Sequence, residues 1–113
     1  MPTRAPGAQV SQSVVTKLAK CFPAASPVRL PVQVKREGGL QPAEENTVIE
    51  FGTAREIFFA SALPLEFAET LRVQNSDRSL DVEVQVVAVQ YHEGRLAVAA
   101  RFIGTVSNWI LKP

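Results

Sequence analysis

The residues able to do chemistry in this chain are few and stand apart from one another. His92 is the only histidine among the 113 residues, and it sits beside Glu93. A bound metal wants three or four ligands, and no further His or Cys lies nearby in sequence, so the pair reads as a solvated turn. Cys21 is the only cysteine. As a nucleophile it would need a base and an orienting partner, and the one histidine is far along the chain, so it reads as a buried or half-buried thiol. Glu44 and Glu45 are adjacent carboxylates, the residue type that general acid–base chemistry uses, but in a polar stretch they read as a solvated loop patch. Gly38-Gly39 suits a hairpin turn better than a phosphate-cradling loop. No nucleophile–base pair and no metal set emerges, so the sequence points to a non-enzymatic protein and implies no cofactor.

The cations offer a second kind of chemistry, the binding of anions. Arg95, Ala97, Ala99 and Arg101 share one face of a strand pattern, opposite Leu96 and Phe102. Small residues flanked by arginines suit either a shallow docking surface or a plain exterior covered by the C-terminal segment. Lys17 and Lys20 fall on a helical pattern, as a solvated face or one that reaches phosphate or a membrane surface.

Composition bounds the rest. Hydrophobic residues make up 46% and charged residues 20%, as in an ordinary single globular domain. A formal net charge of +1 gives no basic stripe for a nucleic-acid polymer. Residues 1–27 carry Arg4, Lys17 and Lys20 and no acid. A lone cysteine cannot form an intramolecular disulfide and suits a reducing compartment. No apolar run approaches the ~20 residues needed to cross a bilayer, and no signal peptide is recognisable. A soluble cytoplasmic protein without membrane insertion is expected.

The elements that would position these residues follow from spacing. Residues 1–9 read as a flexible leader. Val10, Val14, Leu18 and Cys21 recur at helical intervals over 10–21, with Ser11 or Ser13 as a cap. Phe22-Pro23 and Ser26-Pro27 mark a linker over 22–27, because a residue before proline is pushed out of the α region. Six strands are predicted within a barrel body over 28–104. Leu30, Val32 and Val34 alternate in the first; Val48, Ile49 and Phe51 mark the second. Ile57, Phe58 and Phe59 are consecutive in the third, so both of its faces should be covered. Leu71 and Val73 begin the fourth, ahead of a turn at 75–78. The fifth places Leu80, Val82, Val84 and Val86 on one face. Its phase then flips to Val87, Val89 and Tyr91, which predicts a β-bulge near Val86-Val87. A tight turn at His92-Glu93-Gly94 leads to the sixth, where Leu96, Val98, Ala100 and Phe102 face inward. In the tail over 105–113, Trp109, Ile110 and Leu111 should pack back, as a helical turn. The fold class is all-β: a small six-stranded antiparallel β-barrel with a short N-terminal helix.

This order of motifs resembles a PilZ domain over residues 20–103. The resemblance is carried by Leu30-Pro31-Val32, by Ile57-Phe58-Phe59-Ala60-Ser61 and by Leu63-Pro64-Leu65. It continues through the long strand from Val82 to Tyr91, its Glu93-Gly94 turn, and Ala97-Val98-Ala99-Ala100-Arg101-Phe102. It implies a six-stranded barrel and, in many members, a receptor for the bacterial second messenger cyclic di-GMP. The family's ligand chemistry rests on two arginines spaced four apart before the first strand and on Asp/Asn-x-Ser-x-x-Gly leading into the third. Matched to this chain, the arginine positions fall on Cys21 and Ala25, which cannot clamp a phosphate. The second motif becomes Phe51-Gly52-Thr53-Ala54-Arg55-Glu56, where Thr53 alone keeps the expected hydroxyl and Glu56 brings a carboxylate in place of glycine.

Two functions are therefore expected from different classes. One is a PilZ-like adaptor in bacterial signalling or motility that works through a protein partner, with room for a homodimer. The other is a receptor for cyclic di-GMP or another nucleotide, held by Lys17, Lys20, Arg29, Thr53 and Arg55.

Overall fold

The computed structural model describes residues 13–36, 42–106 and 108–111. The leader over 1–9, the first residues of the predicted helix, the Ser11 cap and the Gly38-Gly39 turn lie outside the described residues. One short helix, α1 (Val14–Ala19), precedes six strands: β1 (Ser26–Arg36), β2 (Ala43–Gly52), β3 (Glu56–Ser61), β4 (Thr70–Asn75), β5 (Asp81–His92) and β6 (Arg95–Phe102). All neighbours are antiparallel, and they close in the order β1-β2-β3-β6-β5-β4, with β4 returning to β1. Closure gives every strand a hydrogen-bonded neighbour on both sides, though not along its whole length.

The alternating pattern decides which side chains go inside. Val32, Val34, Ile49, Ile57, Phe59, Leu71, Val73, Val84, Val86, Val98 and Ala100 form the barrel core. Phe58 points the other way, as the three consecutive apolar residues of β3 require. With Ala60, Ala97 and Ala99 it makes a second cluster outside the barrel, closed by Val15, Leu18 and Ala19 of α1. The alanine stripe of β6 is thus the seat of the N-terminal helix. It is neither an open docking surface nor a bed for the C-terminal segment, because only residues this small let a helix approach the strand backbone.

The helix is shorter than its pattern and rotated from it. Ser13 caps it, its hydroxyl accepting from Val15 N–H at 3.1 Å. The buried positions are Val15, Leu18 and Ala19, whereas Val14 is half-buried and Cys21 exposed, so the expectation of a buried thiol is corrected. The chain leaves the helix at Lys20 through a turn held by Cys21 N–H to Leu18 O at 3.0 Å and Phe22 N–H to Ala19 O at 2.9 Å. The predicted linker already contains the start of β1. Likewise the polar lead-in to the second strand belongs to β2. There Glu45 is no solvated loop residue: its carboxylate accepts from the Ser61 hydroxyl at 2.6 Å and from Ala62 N–H at 2.7 Å.

The phase flip in β5 is a bulge. Val86 pairs with Ala100 and Ala88 with Ala99, leaving Val87 as the extra residue. Val89 and Tyr91 resume the inward phase opposite Val98 and Leu96, yet they are 38% and 71% exposed. The β5–β6 hairpin runs on past the end of the barrel, so the inward phase there has no core to face. Its turn has positive φ at both Glu93 (50°) and Gly94 (84°), the type I′ geometry that matches strand twist.

At the opposite end the tail turns back over the barrel mouth. Trp109 is buried, stacks edge-on against Phe102 at 5.3 Å between ring centroids, and belongs to the barrel core. Packing back is as expected. The segment is irregular, however, with no helical turn over 105–106 or 108–111: Asn108 Nδ2 donates to Ser79 O at 2.7 Å, Leu111 packs on the core beside Trp109, and Ile110 is exposed. Among the described residues no helix is long and apolar enough to cross a membrane.

Candidate functional site

The turn from β2 to β3 and the segment before β1 meet at the Trp109 end of the barrel. Phe22, Pro23 and Ala24 on one side and Thr53, Ala54, Arg55 and Glu56 on the other line an open hollow of ≈ 280 Å³. The two motif positions of the resemblance fall on these segments. Their chemistry differs from that of a clamp. Phe22 is fixed from beneath, its ring edge-on to Phe58 at 4.8 Å between centroids. Apolar side chains occupy most of the floor, and an anion gains nothing from them.

Thr53 is present but occupied. It is 8% exposed, and its hydroxyl accepts from Arg55 N–H at 3.0 Å and Glu56 N–H at 2.9 Å while donating to the Glu56 carboxylate. Its backbone is held as firmly. Thr53 N–H donates to Glu56 O at 2.9 Å, and Thr53 O accepts from Trp109 Nε1–H at 2.6 Å. Every polar group of this threonine is used to close the turn, as short polar side chains do in tight connections. None is left to face a ligand.

Glu56 then links the turn to β6. Its second carboxylate oxygen accepts from Arg101 Nε at 3.1 Å and lies 3.0 Å from Arg101 Nη2. The pair is asymmetric in exposure, the glutamate side chain at 12% and the arginine at 54%. Arg101 is therefore committed to an internal carboxylate. Arg55 is exposed, and no ion pair joins it to another described residue. It lines the apolar hollow and also a second depression of ≈ 510 Å³, shared with Arg101, Phe102, Gly104 and Leu111.

The remaining expected ligand-binding residues are not gathered here. Lys17 and Lys20 are exposed on α1 and just after it, and Arg29 is exposed where β1 slips register between Pro27 and Leu30. None of the three lines the hollow. Of the five candidates, Thr53 and Arg55 share a site, and one of those two has its polar atoms already spent. Pattern reasoning missed Phe22, Pro23 and Ala24 as lining, and it missed the Glu56–Arg101 pair. The pair was legible only through strand register, which sets Glu56 opposite Arg101.

The other chemical candidates resolve locally. His92 Nε2 lies 3.0 Å from the Glu93 carboxylate, both well exposed in the hairpin turn, and no cluster of three or more metal-ligating side chains occurs among the described residues. Arg36 bonds the Glu69 carboxylate and donates to Pro64 O at 2.8 Å, pinning the β3–β4 connection. Arg72 pairs with Asp81 at 2.8 Å. Comparison with known proteins adds no family: no family model matches the chain, and neither does any curated protein.

Proposed function

We propose that this barrel is a non-enzymatic binding module of PilZ-like design that acts by contact with a protein partner, as an adaptor in bacterial signalling or motility, and does not clamp cyclic di-GMP. The observation that carries this reading is the character of the hollow between residues 22–24 and 53–56. Where a dianionic ligand would need converging guanidinium groups, the wall is Phe22, Pro23 and Ala24, and the opposite rim carries the Glu56 carboxylate. Arg101, the neighbouring guanidinium, is already bonded to this carboxylate and is not free to clamp a phosphate. Apolar walls with a polar rim suit a partner's apolar side chain instead. Calorimetric titration with cyclic di-GMP tests the reading: no heat of binding is expected at micromolar ligand, and a saturable one-to-one isotherm would contradict it.

One observation favours a second reading, a nucleotide receptor of unusual chemistry. Arg55 is exposed at the rim of both depressions and makes no ion pair among the described residues. Under this reading Arg55→Ala abolishes binding of the nucleotide, whereas binding that survives the change excludes it.

A further inference from the structure

The barrel is closed, yet several strands outrun a neighbour: β1 before Val32 on its β4 side, β2 before Ile49 on its β3 side, and β5 beyond Gln85 on its β4 side. β4 pairs with β5 only from Asp81 to Gln85. Beyond that, the backbone of Val86 is taken by the β3–β4 connection: its N–H donates to Glu69 O at 2.8 Å, and its carbonyl accepts from Ala68 N–H at 2.8 Å. From Val87 to His92 the strand has β6 on one side and, among the described residues, no backbone hydrogen-bond partner on the other. Hairpin geometry fixes which groups face that open side. His92 and Arg95 flank the turn as a hydrogen-bonded pair, so the pairs Gln90–Ala97 and Ala88–Ala99 are bonded as well. Val89 and Tyr91 occupy the intervening non-bonded positions, and their N–H and C=O groups point outward.

Apart from the bulge at Val87 where it begins, this edge has none of the side-chain devices that keep natural edges single. It carries no proline, lysine or inward-pointing charge between Val87 and Tyr91, where the sequence is Val-Ala-Val-Gln-Tyr. Two of the large apolar side chains that remain exposed, Val89 and Tyr91, lie on it. A third, Phe67 at 71% exposure, immediately precedes Ala68 at the point where the open edge begins.

We infer that the open edge of β5 is a self-association surface, on which the β5 edge of a second copy of this chain pairs antiparallel across residues 88–92. Register points to a second copy as the occupant: about a two-fold axis at residue 90, Val89 of one copy meets Tyr91 of the other, so the outward groups complement their own image. The edge has no formal charge to select a foreign sequence, and none to repel its own image about a two-fold axis. Each copy also supplies the apolar set, Phe67, Val89 and Tyr91, that the other needs to cover its own. Outward groups at Val89 and Tyr91 then exchange main-chain hydrogen bonds across the axis, as in other strand-addition contacts. The surface lies at the opposite end of the barrel from the Phe22 hollow, so it stands or falls independently of the adaptor reading.

The test is sedimentation equilibrium of the full chain over about a hundredfold range of concentration, compared with Val89→Pro and Tyr91→Lys. Proline at 89 deletes a donor that points away from β6, leaving the barrel's own ladder whole. Lysine at 91 places a charge on the edge without altering the backbone. The wild type is expected to approach twice the protomer mass, and each variant to weaken association by about tenfold or more. Amide exchange adds a site-specific readout, with the amides of residues 89 and 91 better protected in the wild type than in Tyr91→Lys. A wild type that stays monomeric throughout, or a dimer that persists undiminished in Tyr91→Lys, overturns the inference. Should Val89→Pro fail to fold, Tyr91→Lys decides the matter alone.

Discussion

Gly52 and Trp109 are so close that a Cβ on the glycine would stand 2.6 Å from the indole Cζ2. The last residue of β2 must therefore be bare for the tail to seal the barrel, and the tail in turn holds Thr53 through the indole N–H. Substituting Gly52→Ala drives methyl into a rigid ring that is already packed on Phe102. We expect a loss of about 1–3 kcal/mol, the range for overpacking, visible as a lower unfolding midpoint. A red shift of fluorescence should accompany it, since Trp109 is the only tryptophan.

The Thr53 hydroxyl makes three hydrogen bonds inside one turn, so its side chain is structural. Thr53→Ala leaves two backbone N–H groups without their acceptor and should cost about 1–3 kcal/mol by denaturant unfolding. Thr53→Ser keeps the oxygen and should recover most of that. Equal losses for both variants would show that the methyl group, and not the hydroxyl, holds the turn.

Ala99 lies under α1 with no exposed surface. Ala99→Leu should lift the helix while leaving the interior core intact, because residue 99 points away from it. Limited proteolysis is expected to cut near 13–22 much faster in the variant, with the barrel's β spectrum retained and stability lower by about 1–3 kcal/mol. Loss of the β spectrum instead would mean that helix and barrel fold as one inseparable unit.

The Arg36–Glu69 pair predicts part of the acid limb. Burial pushes the Glu69 carboxyl up, but the hydrogen bonds from Arg36 and Glu66 N–H and the charge of Arg36 outweigh it, and the net shift is downward from 4.5. A carboxyl lowered in the folded state contributes stability that is complete above its ordinary range and is lost as pH falls through the lowered value. Glu69→Gln should therefore unfold at a lower temperature near neutrality and show a shallower decline as the solution is acidified below 4.5. Parallel curves for the two proteins would contradict the assignment.

Much of this architecture was legible in the residues. The flip from Val86 to Val87, Val89 and Tyr91 announced the bulge, and Ile57-Phe58-Phe59 announced a strand covered on both sides. Alternation reports which way a side chain points, not how far the neighbouring strands extend, so the exposure of Val89 and Tyr91 could not be read from it. That α1 covers Ala97 and Ala99, a face whose pattern suits a docking surface or a plain exterior equally, is not legible because a six-residue helix leaves only a weak periodic signal. At the candidate site, the absence of an arginine pair at Cys21 and Ala25 was plain. That Thr53 would be consumed by its own turn was not, since a hydroxyl at the right spacing looks the same whether it is free or bonded.

Residues 22–24 and 53–56 meet in one hollow without converging guanidinium groups to clamp an anion. Amide chemical shifts of residues 20–25 and 53–56, followed by NMR during titration with cyclic di-GMP, test it most directly. We predict spectra that do not change up to ligand excess. Saturable shifts at Thr53, Ala54 and Arg55 that disappear in Arg55→Ala would contradict it.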